Sequence, residues 1–221
     1  MSRRAIARLS DIPELKDRVR RRKLRPDEEL FSQGEAPRFV YVVLQGVLKL
    51  TRASASGRQM ITELLFPGDA CDLLSAYEAQ PYSVSGAAVS QMLVEVEYVP
   101  IEDFRRATDR NPGLGDCFLV GWRDRLQFQR EMMVSIAVER VEQRALRALM
   151  MLAGRLGRPN GPVLEMHLPL TRQEFSELIG TTMESAIRAF SHFKKQALIR
   201  EEHGTLSLPT VQEMRALCAA A

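Results

Sequence analysis

The chain is poor in the residues that build metal centres and covalent cross-links. Its 221 residues include three cysteines, Cys71, Cys117 and Cys218. These are too far apart to match a disulfide framework or a zinc or iron–sulfur motif. The three histidines all lie in the last third of the chain, so the first two thirds offer no histidine to a haem iron. We therefore predict reduced cysteines, no metal site and no cofactor.

Long apolar runs and enzyme motifs are also missing. No apolar segment approaches the ~20 residues that a membrane-spanning helix requires, and the arginine-rich start lacks the apolar core of a signal peptide. The sequence contains no nucleophile elbow and no phosphate-binding loop. We expect a cytoplasmic protein with no catalytic residues, no enzymatic activity and no membrane partner.

Positive charge is unevenly distributed. The net charge of +3 permits binding to nucleic acid without requiring it. No lysine or arginine occurs between Arg58 and Arg105, so a phosphate buried there would lack the cation that buried charge requires. Five arginines and one lysine cluster between Arg18 and Arg25. They fit a nucleic-acid-binding arm, but we interpret them as the charged face of a short helix.

Short strands separated by glycines are predicted for the N-terminal half. Gly46, Gly57 and Gly68 recur every eleven residues. The runs at 39–44, 47–51, 60–65 and 92–99 have strand-like composition. Turns at equal spacing between short strands favour an antiparallel β-roll or jelly-roll. We assign this domain to residues 1–110.

A long helix is predicted at residues 111–137. Asn111 followed by Pro112 is typical of a helix start. Residues spaced alternately by four and three then form an approximate heptad seam. The seam comprises Leu114, Phe118, Gly121, Arg125, Phe128, Met132 and Ser135. We predict a homodimer through this helix, and the alternative is that the seam packs on the chain's own β domain.

The third domain, residues 138–221, is predicted to contain two short helices joined by a glycine. Thr171 and Glu174 form a capping-box pattern at the first helix start, and Gly180 supplies the left-handed conformation that ends this helix. Thr181 or Thr182 caps the second helix. Its predicted inward stripe is Ala186, Ala189, Phe190 and Phe193. Its predicted outward face is Met183, Glu184, Ile187, Arg188 and Ser191. Such an exposed face can enter a DNA major groove.

A two-stranded hairpin is predicted after these helices. The alternating runs 198–200 and 205–208 flank the turn-forming residues 201–204. An ordinary helical hairpin facing water is the alternative, but the excess of basic residues between 181 and 200 favours contact with phosphates. The sequence thus predicts an α+β chain with an N-terminal β-roll, a dimerisation helix and a C-terminal winged helix that binds double-stranded DNA.

Four segments in this order carry a resemblance to a known family: Phe31–Glu35, Tyr41–Leu50, Phe66–Asp69 and Thr171–Glu174. With the long helix, they resemble the Crp/Fnr family of bacterial transcription regulators over residues 12–210. The resemblance implies a cyclic-nucleotide-binding-like β-roll, a helix that forms a homodimer, and a winged helix that reads a palindromic operator. It further implies contact with RNA polymerase, and activation more often than repression.

The resemblance also assigns DNA contacts. Recognition helices of the family carry glutamate and arginine four residues apart, as Glu184 and Arg188 are here. Arginine can donate hydrogen bonds to guanine, and glutamate can accept one from cytosine. Met183 stands where the cyclic-AMP-responsive branch has a further arginine, which implies a TTGA-like half-site. Ile187 is suited to contact a thymine methyl, and Glu184 has an alternative role in a capping box with Thr181. The complete predicted set is Thr171, Arg172, Gln173, Thr182, Met183, Glu184, Ile187, Arg188 and Ser191.

The effector residues of the family are missing. Cyclic-nucleotide binders resemble one another in a Gly-Glu pair and an Arg-Ser pair, and segments 68–74 and 81–87 contain neither. The oxygen-sensing branch has a cysteine cluster near its N-terminus, whereas Cys71 is the first cysteine here. We therefore expect no bound cyclic nucleotide or iron–sulfur cluster. The alternative is a ligand-gated regulator whose β-roll senses a non-phosphate small molecule, haem or redox state.

Overall fold

The computed structural model describes residues 8–54, 57, 59–78, 80–210 and 212–214, and the side chains at 76, 115–121 and 124 lie outside this description. The chain divides into two compact units, residues 1–127 and 128–221. The boundary falls inside a long helix. The domain limits predicted from the sequence, 1–110, 111–137 and 138–221, remain a prediction.

The first unit is an antiparallel β-roll, as the sequence predicts. A short 3-10 turn (Leu9–Asp11) precedes strands β1 (Arg20–Leu24), β2 (Glu29–Phe31), β3 (Phe39–Gln45), β4 (Leu48–Ala53), β5 (Gln59–Leu65), β6 (Ala70–Cys71), β7 (Ser85–Ala88) and β8 (Val94–Pro100). Helix α1 (Leu73–Glu78) lies between β6 and β7, and α2 (Ile101–Arg110) follows β8. The strands form two four-stranded sheets, ordered β1-β8-β3-β6 and β2-β7-β4-β5.

Strand β3 is apolar along its length because both of its faces are covered. Alternate residues of a strand point to opposite faces of the sheet. Tyr41 and Val43 point into the roll, where they join a core that includes Leu48 and Val96. Val40 and Val42 point the other way and belong to a second core with residues of α2. This explains a continuous apolar run where a one-sided strand would alternate.

The N-terminal basic cluster is a strand, so its interpretation as the face of a helix is wrong. Residues 20–23 are exposed within β1, which pairs with β8 at the edge of its sheet. The extended conformation lets Leu24 reach the roll core. It also lets Arg21 Nη2 lie 3.1 Å from a carboxylate oxygen of buried Glu97. These long-range contacts are invisible to a local helix pattern.

The second unit contains the winged helix. Helix α3 (Gly113–Val138) crosses the boundary between the units and is followed by α4 (Val141–Leu156), β9 (Arg158–Asn160), β10 (Val163–His167), α5 (Arg172–Leu178), α6 (Met183–Lys195), β11 (Arg200–Glu202) and β12 (Thr205–Leu208). The strands form one sheet in the order β11-β12-β10-β9. The predicted hairpin is present as β11 and β12, but its first strand lies two residues later than predicted, because Glu201 and Glu202 pair with β12 instead of forming the turn. Its turn residues His203 and Gly204 both have positive φ, the pattern of a tight type I′ turn.

Sequence reasoning missed the β9–β10 hairpin. Strand β9 is exposed at all three of its positions, one of which is Pro159, so it carries no apolar alternation. It forms because β10 offers a free edge beside β12.

Within the part of the chain that the structure describes, no helix is long and apolar enough to cross a membrane.

Candidate nucleic-acid interface

Helix α5 begins with the predicted capping box. The amide of Glu174 donates to Thr171 Oγ1 over 3.1 Å, and the amide of Thr171 donates to the Glu174 carboxylate over 2.8 Å. These bonds satisfy backbone N–H groups that a helix start leaves without partners. The Thr171 hydroxyl also donates to Glu174 at 3.0 Å. Its predicted phosphate contact therefore has to coexist with the cap.

Gly180 and Thr182 define the turn between α5 and α6. Gly180 adopts φ +65°, the left-handed conformation that the sequence predicts. Thr182, rather than Thr181, is the N-cap of α6, since its hydroxyl accepts from the amide of Ser185. Behind the turn, Phe175 and Phe190 pack edge to face with ring centroids 5.0 Å apart. This buried contact fixes how α6 crosses α5.

The exposed face of α6 is the one that the sequence predicts. The inward stripe is buried, and Glu184, Arg188 and Ser191 are exposed. Met183 and Ile187 are 40% and 43% exposed and lie one helical turn apart. The face thus combines one acidic side chain, one guanidinium and two apolar side chains.

Arg188 and Glu184 are both connected to the N-terminal end of α6. Arg188 Nη2 donates to Ser185 Oγ over 2.7 Å, and Thr182 Oγ1 lies 3.2 Å from the same hydroxyl. A hydrogen bond from its own backbone N–H lowers the pKa of Glu184, and the Thr182 hydroxyl adds to this effect. The alternative capping role for Glu184 remains a prediction.

Arg172 contacts the wing and the recognition helix together. Its Nη2 lies 2.7 and 2.8 Å from the two carboxylate oxygens of Glu201 on β11, and its guanidinium carbon lies 3.8 Å from the centre of the Phe190 ring. Lys194 Nζ is 2.6 Å from the same carboxylate. Burial opposes ionisation of Glu201, but the hydrogen bond from Lys194 and the charge of Arg172 outweigh it and lower its pKa. One ionised carboxylate thus holds two cations at this surface.

Two further residues that are predicted to contact DNA form hydrogen bonds within their own helices. Gln173 Nε2 donates to the Glu177 carboxylate over 2.8 Å, and Ser191 Oγ donates to the Ile187 carbonyl over 3.0 Å. The predicted DNA-contact residues are thereby gathered on α5, α6 and their caps. Their contacts with DNA remain predictions.

Arg144 of α4 is a residue of this region that the sequence analysis did not identify. Its Nη1 donates to the carbonyls of Ile179 and Gly180, over 3.0 and 3.1 Å. It also borders a groove of about 370 Å³ between the start of α4 and the start of α6. The groove is lined by Glu139, Arg140, Val141, Glu142, Arg144, Ser185 and Arg188.

Arg125, predicted as a seam residue, is bound inside the first unit. Its Nε lies 3.0 Å from Glu63 of β5, with 13% and 12% of the two side chains exposed, and its Nη1 donates to the Ala70 carbonyl over 2.9 Å. Burial raises the pKa of Glu63, and the charge of Arg125 opposes that rise. The long helix thus supplies a cation to a roll segment that has none in its own sequence.

Other seam residues also have surroundings within their own chain. Leu114 belongs to the core beside α2, Met132 is buried and Phe128 is half-buried. The side chain of Phe118 and the surroundings of Gly121 lie outside what the structure describes. The predicted seam therefore remains a prediction.

Other apolar side chains of α3 are exposed, among them two in the first unit and one in the second. Trp122, Leu126 and Met133 are 38%, 37% and 67% exposed. Each directly follows a residue of the predicted seam, and one residue corresponds to a rotation of about 100° around a helix. These exposed side chains lie beside the predicted seam on the same helix.

Cys71 is buried in the roll, and burial raises the pKa of its thiol, which disfavours the reactive thiolate. Among the described residues, no three histidine, cysteine, aspartate or glutamate side chains are placed to hold a metal ion. The prediction that the chain needs no cofactor stays open.

Comparison with known proteins matches both parts of the chain. Residues 21–111 match the cyclic nucleotide-binding domain, and residues 143–219 match the Crp-like helix-turn-helix domain. The chain is 28% identical over 171 residues to the global nitrogen regulator of Synechococcus elongatus, covering 77% of each chain. It is 29% identical over 186 residues to the nitrogen fixation regulation protein FixK of Azorhizobium caulinodans, covering 83% of this chain and 70% of that one.

The fold has a counterpart among solved structures. FixK2 from Bradyrhizobium japonicum superposes with a TM-score of 0.78 at 21% identity, covering 92% of this chain and 98% of that one. The chain therefore carries a cyclic nucleotide-binding domain followed by a Crp-like helix-turn-helix domain, and its fold is that of FixK2.

Proposed function

Because the chain belongs to the Crp/Fnr family of transcription regulators and is not an enzyme, we propose that it binds a palindromic operator with TTGA-like half-sites as a homodimer. In this proposal it acts in the cytoplasm, contacts RNA polymerase, activates transcription and needs no cyclic nucleotide. The exposed face of α6, with Glu184 and Arg188 one turn apart, is the observation that carries the proposal.

Arg188 and Glu184 are suited to read bases. Both are exposed near the N-terminal end of α6, the end that contacts base edges when such a helix enters a major groove. Arg188 would donate to guanine O6 and N7, and Glu184 would accept from cytosine N4. Ile187 and Met183 present apolar surface to thymine methyl groups beside that pair.

Phosphate contacts are assigned to the surrounding polar groups. Arg172 donates to Glu201 through Nη2, which leaves its other nitrogens to approach a phosphate beside Gln173. Thr171, Thr182 and Ser191 complete this set. Such contacts fix the position of the protein on the duplex without reading its sequence.

The charges inside the roll support the proposed independence from cyclic nucleotides. Arg125 of α3 supplies the cation beside the Ala70 carbonyl, and this cation is already paired with the carboxylate of Glu63. A cyclic nucleotide brings a phosphate, so it would have to displace Glu63 or remain unpaired. Either outcome is unfavourable in a buried site.

Dimerisation is assigned to the exposed apolar side chains of α3. A second copy of the helix would bury Trp122, Leu126 and Met133, which face outward in the single chain. We expect a Leu126→Glu, Met133→Glu double variant to be monomeric at concentrations where the parent is dimeric, because each interface would bury four unpaired carboxylates. Sedimentation equilibrium measures this change.

A matched control for that variant is Gln127→Glu, which places a carboxylate on the same helix about 100° away from Leu126. This variant should keep the mass of the parent. A dimeric double variant would show that the contact lies elsewhere.

The proposed function is tested by fluorescence anisotropy on a TTGA palindrome and a scrambled duplex, at one physiological salt concentration. The expected result is binding at least about 10³-fold tighter to the palindrome, unchanged by cyclic AMP. Equal affinity for both duplexes would contradict this proposal and favour the ligand-gated alternative. Tighter binding with cyclic AMP would contradict the independence from cyclic nucleotides.

A further inference from the structure

The turn between α5 and α6 is held by a side chain from another helix. Arg144 lies on α4, 35 and 36 positions before the residues whose carbonyls it contacts. One of its nitrogens donates to both Ile179 and Gly180. Its Nε is buried and has no hydrogen-bond partner among the described residues.

These carbonyls need a donor. The last carbonyls of a helix have no partners within it and carry its partial negative charge. Ile179 is the C-cap of α5, and Gly180 follows in the left-handed conformation. A guanidinium therefore supplies both the hydrogen bonds and the compensating charge at this point.

The space beside the glycine of the turn is also closely packed. A Cβ added to Gly180 would lie 3.2 Å from Ile136 Cδ1, tighter than an ordinary contact. Ile136 from α3 and Arg144 from α4 thus both lie beside the same glycine. A change in the direction of the turn would have to displace one of these side chains.

We propose that Arg144 is a positioning residue for operator recognition: it fixes the turn before α6 and thereby the direction in which Arg188 meets the bases. The proposal rests on the proposed function. It requires that Arg144 act through the backbone of the turn and contact no phosphate itself. Its hydrogen bonds within the protein support this division of roles.

Phosphate binding is the competing role for Arg144, because it lines a groove with Arg140 and Arg188. The two roles have different salt signatures. Each phosphate contact contributes about 0.9 to the slope of log K against log salt concentration. Loss of one contact in each half of a dimer would therefore reduce the slope by about 1.8.

The experiment compares Arg144→Met with the parent on the TTGA palindrome and on scrambled DNA over a range of salt concentrations. We expect affinity for the palindrome to fall by about ten- to hundredfold, the range for lost hydrogen bonds to a charged group. Affinity for scrambled DNA and the salt slope should stay the same. A parallel loss on both duplexes with a smaller slope would overturn the proposal.

Arg140→Met is the matched control, since it removes an exposed arginine from the same groove. It should preserve the ratio between the two affinities. If Arg144→Met does not fold, as judged by circular dichroism, Arg144→Lys replaces it. A lysine keeps the charge but not the planar guanidinium that donates to both carbonyls. We therefore expect a lower ratio between the two affinities than the parent's, and faster amide exchange at Thr181 and Thr182. A ratio and an amide exchange equal to the parent's would refute the positioning role.

Measurements on the parent protein distinguish a failure of this proposal from a failure of the proposed function. A parent that does not distinguish the two duplexes contradicts the operator assignment. A parent that distinguishes them, with an Arg144→Lys variant identical in ratio and amide exchange, contradicts only the role of Arg144.

Discussion

The Arg125→Met variant is expected to unfold with a free energy about 3–5 kcal/mol lower than the parent, because Glu63 would remain buried without its cation. The parent pair is 3.0 Å apart and both side chains are nearly buried. Urea denaturation can follow the loss through the fluorescence of Trp122, the single tryptophan, which lies three residues before Arg125 on α3.

The double variant Glu63→Leu, Arg125→Met is the control for this prediction. Replacing both members of a buried ion pair with apolar side chains of similar volume is often neutral. Its stability should therefore be close to that of the parent. If the double variant is as unstable as Arg125→Met, the loss comes from packing rather than from an unpaired charge.

The deficit of Arg125→Met should also depend on pH. Burial raises the pKa of Glu63, and the variant removes the charge that opposes this rise. A carboxyl whose pKa is raised by folding contributes stability below its unfolded pKa and loses that contribution as pH rises through the folded value. The deficit should consequently be smallest in acid, where Glu63 is protonated, and increase with pH.

Arg188→Ala is expected to weaken binding to the palindromic operator by about 2–6 kcal/mol, since each bidentate arginine–guanine pair contributes about 1–3 kcal/mol and the dimer makes two. The Ser185 hydroxyl, 2.7 Å from Arg188 Nη2, holds the guanidinium near the start of α6 in the free protein. Anisotropy titrations on operators with and without the half-site guanine measure the effect.

The parent should prefer the guanine-containing operator, and Arg188→Ala should lose that preference. Lys195→Ala is the charge-matched control, because it removes an exposed cation at the other end of the same helix. We expect the control to retain the preference for guanine. Equal weakening of Arg188→Ala on every sequence would mean that Arg188 contacts phosphates only.

Local signals in the sequence predicted the winged helix well. A cap, a glycine and a run of apolar residues act within one or two helical turns, and Thr171, Gly180 and Phe190 behave as their positions predict. The β-roll was predictable for a similar reason, because its turns fall between short apolar strands. These features need no knowledge of distant residues.

Contacts between distant parts of the chain could not be predicted in this way. Glu201 meets Arg172 across 29 positions, and Ala70 meets Arg125 across 55. A periodic pattern identifies an apolar helix face but not the neighbour that covers it, so it does not reveal that Arg125 of the predicted seam pairs with Glu63. Arg144 carried no signal, since an arginine on a helix is ordinarily solvated.

The charged edge of the roll has a consequence for how the protein behaves at high concentration. An edge strand exposes backbone groups to which a strand of another molecule can add, and such addition can continue into aggregates. Four consecutive cationic side chains, Arg20–Lys23, occupy this edge. Two copies that approached edge to edge would bring like charges together and repel each other. This edge of the first sheet is thereby protected against sheet extension, while association through α3 remains open.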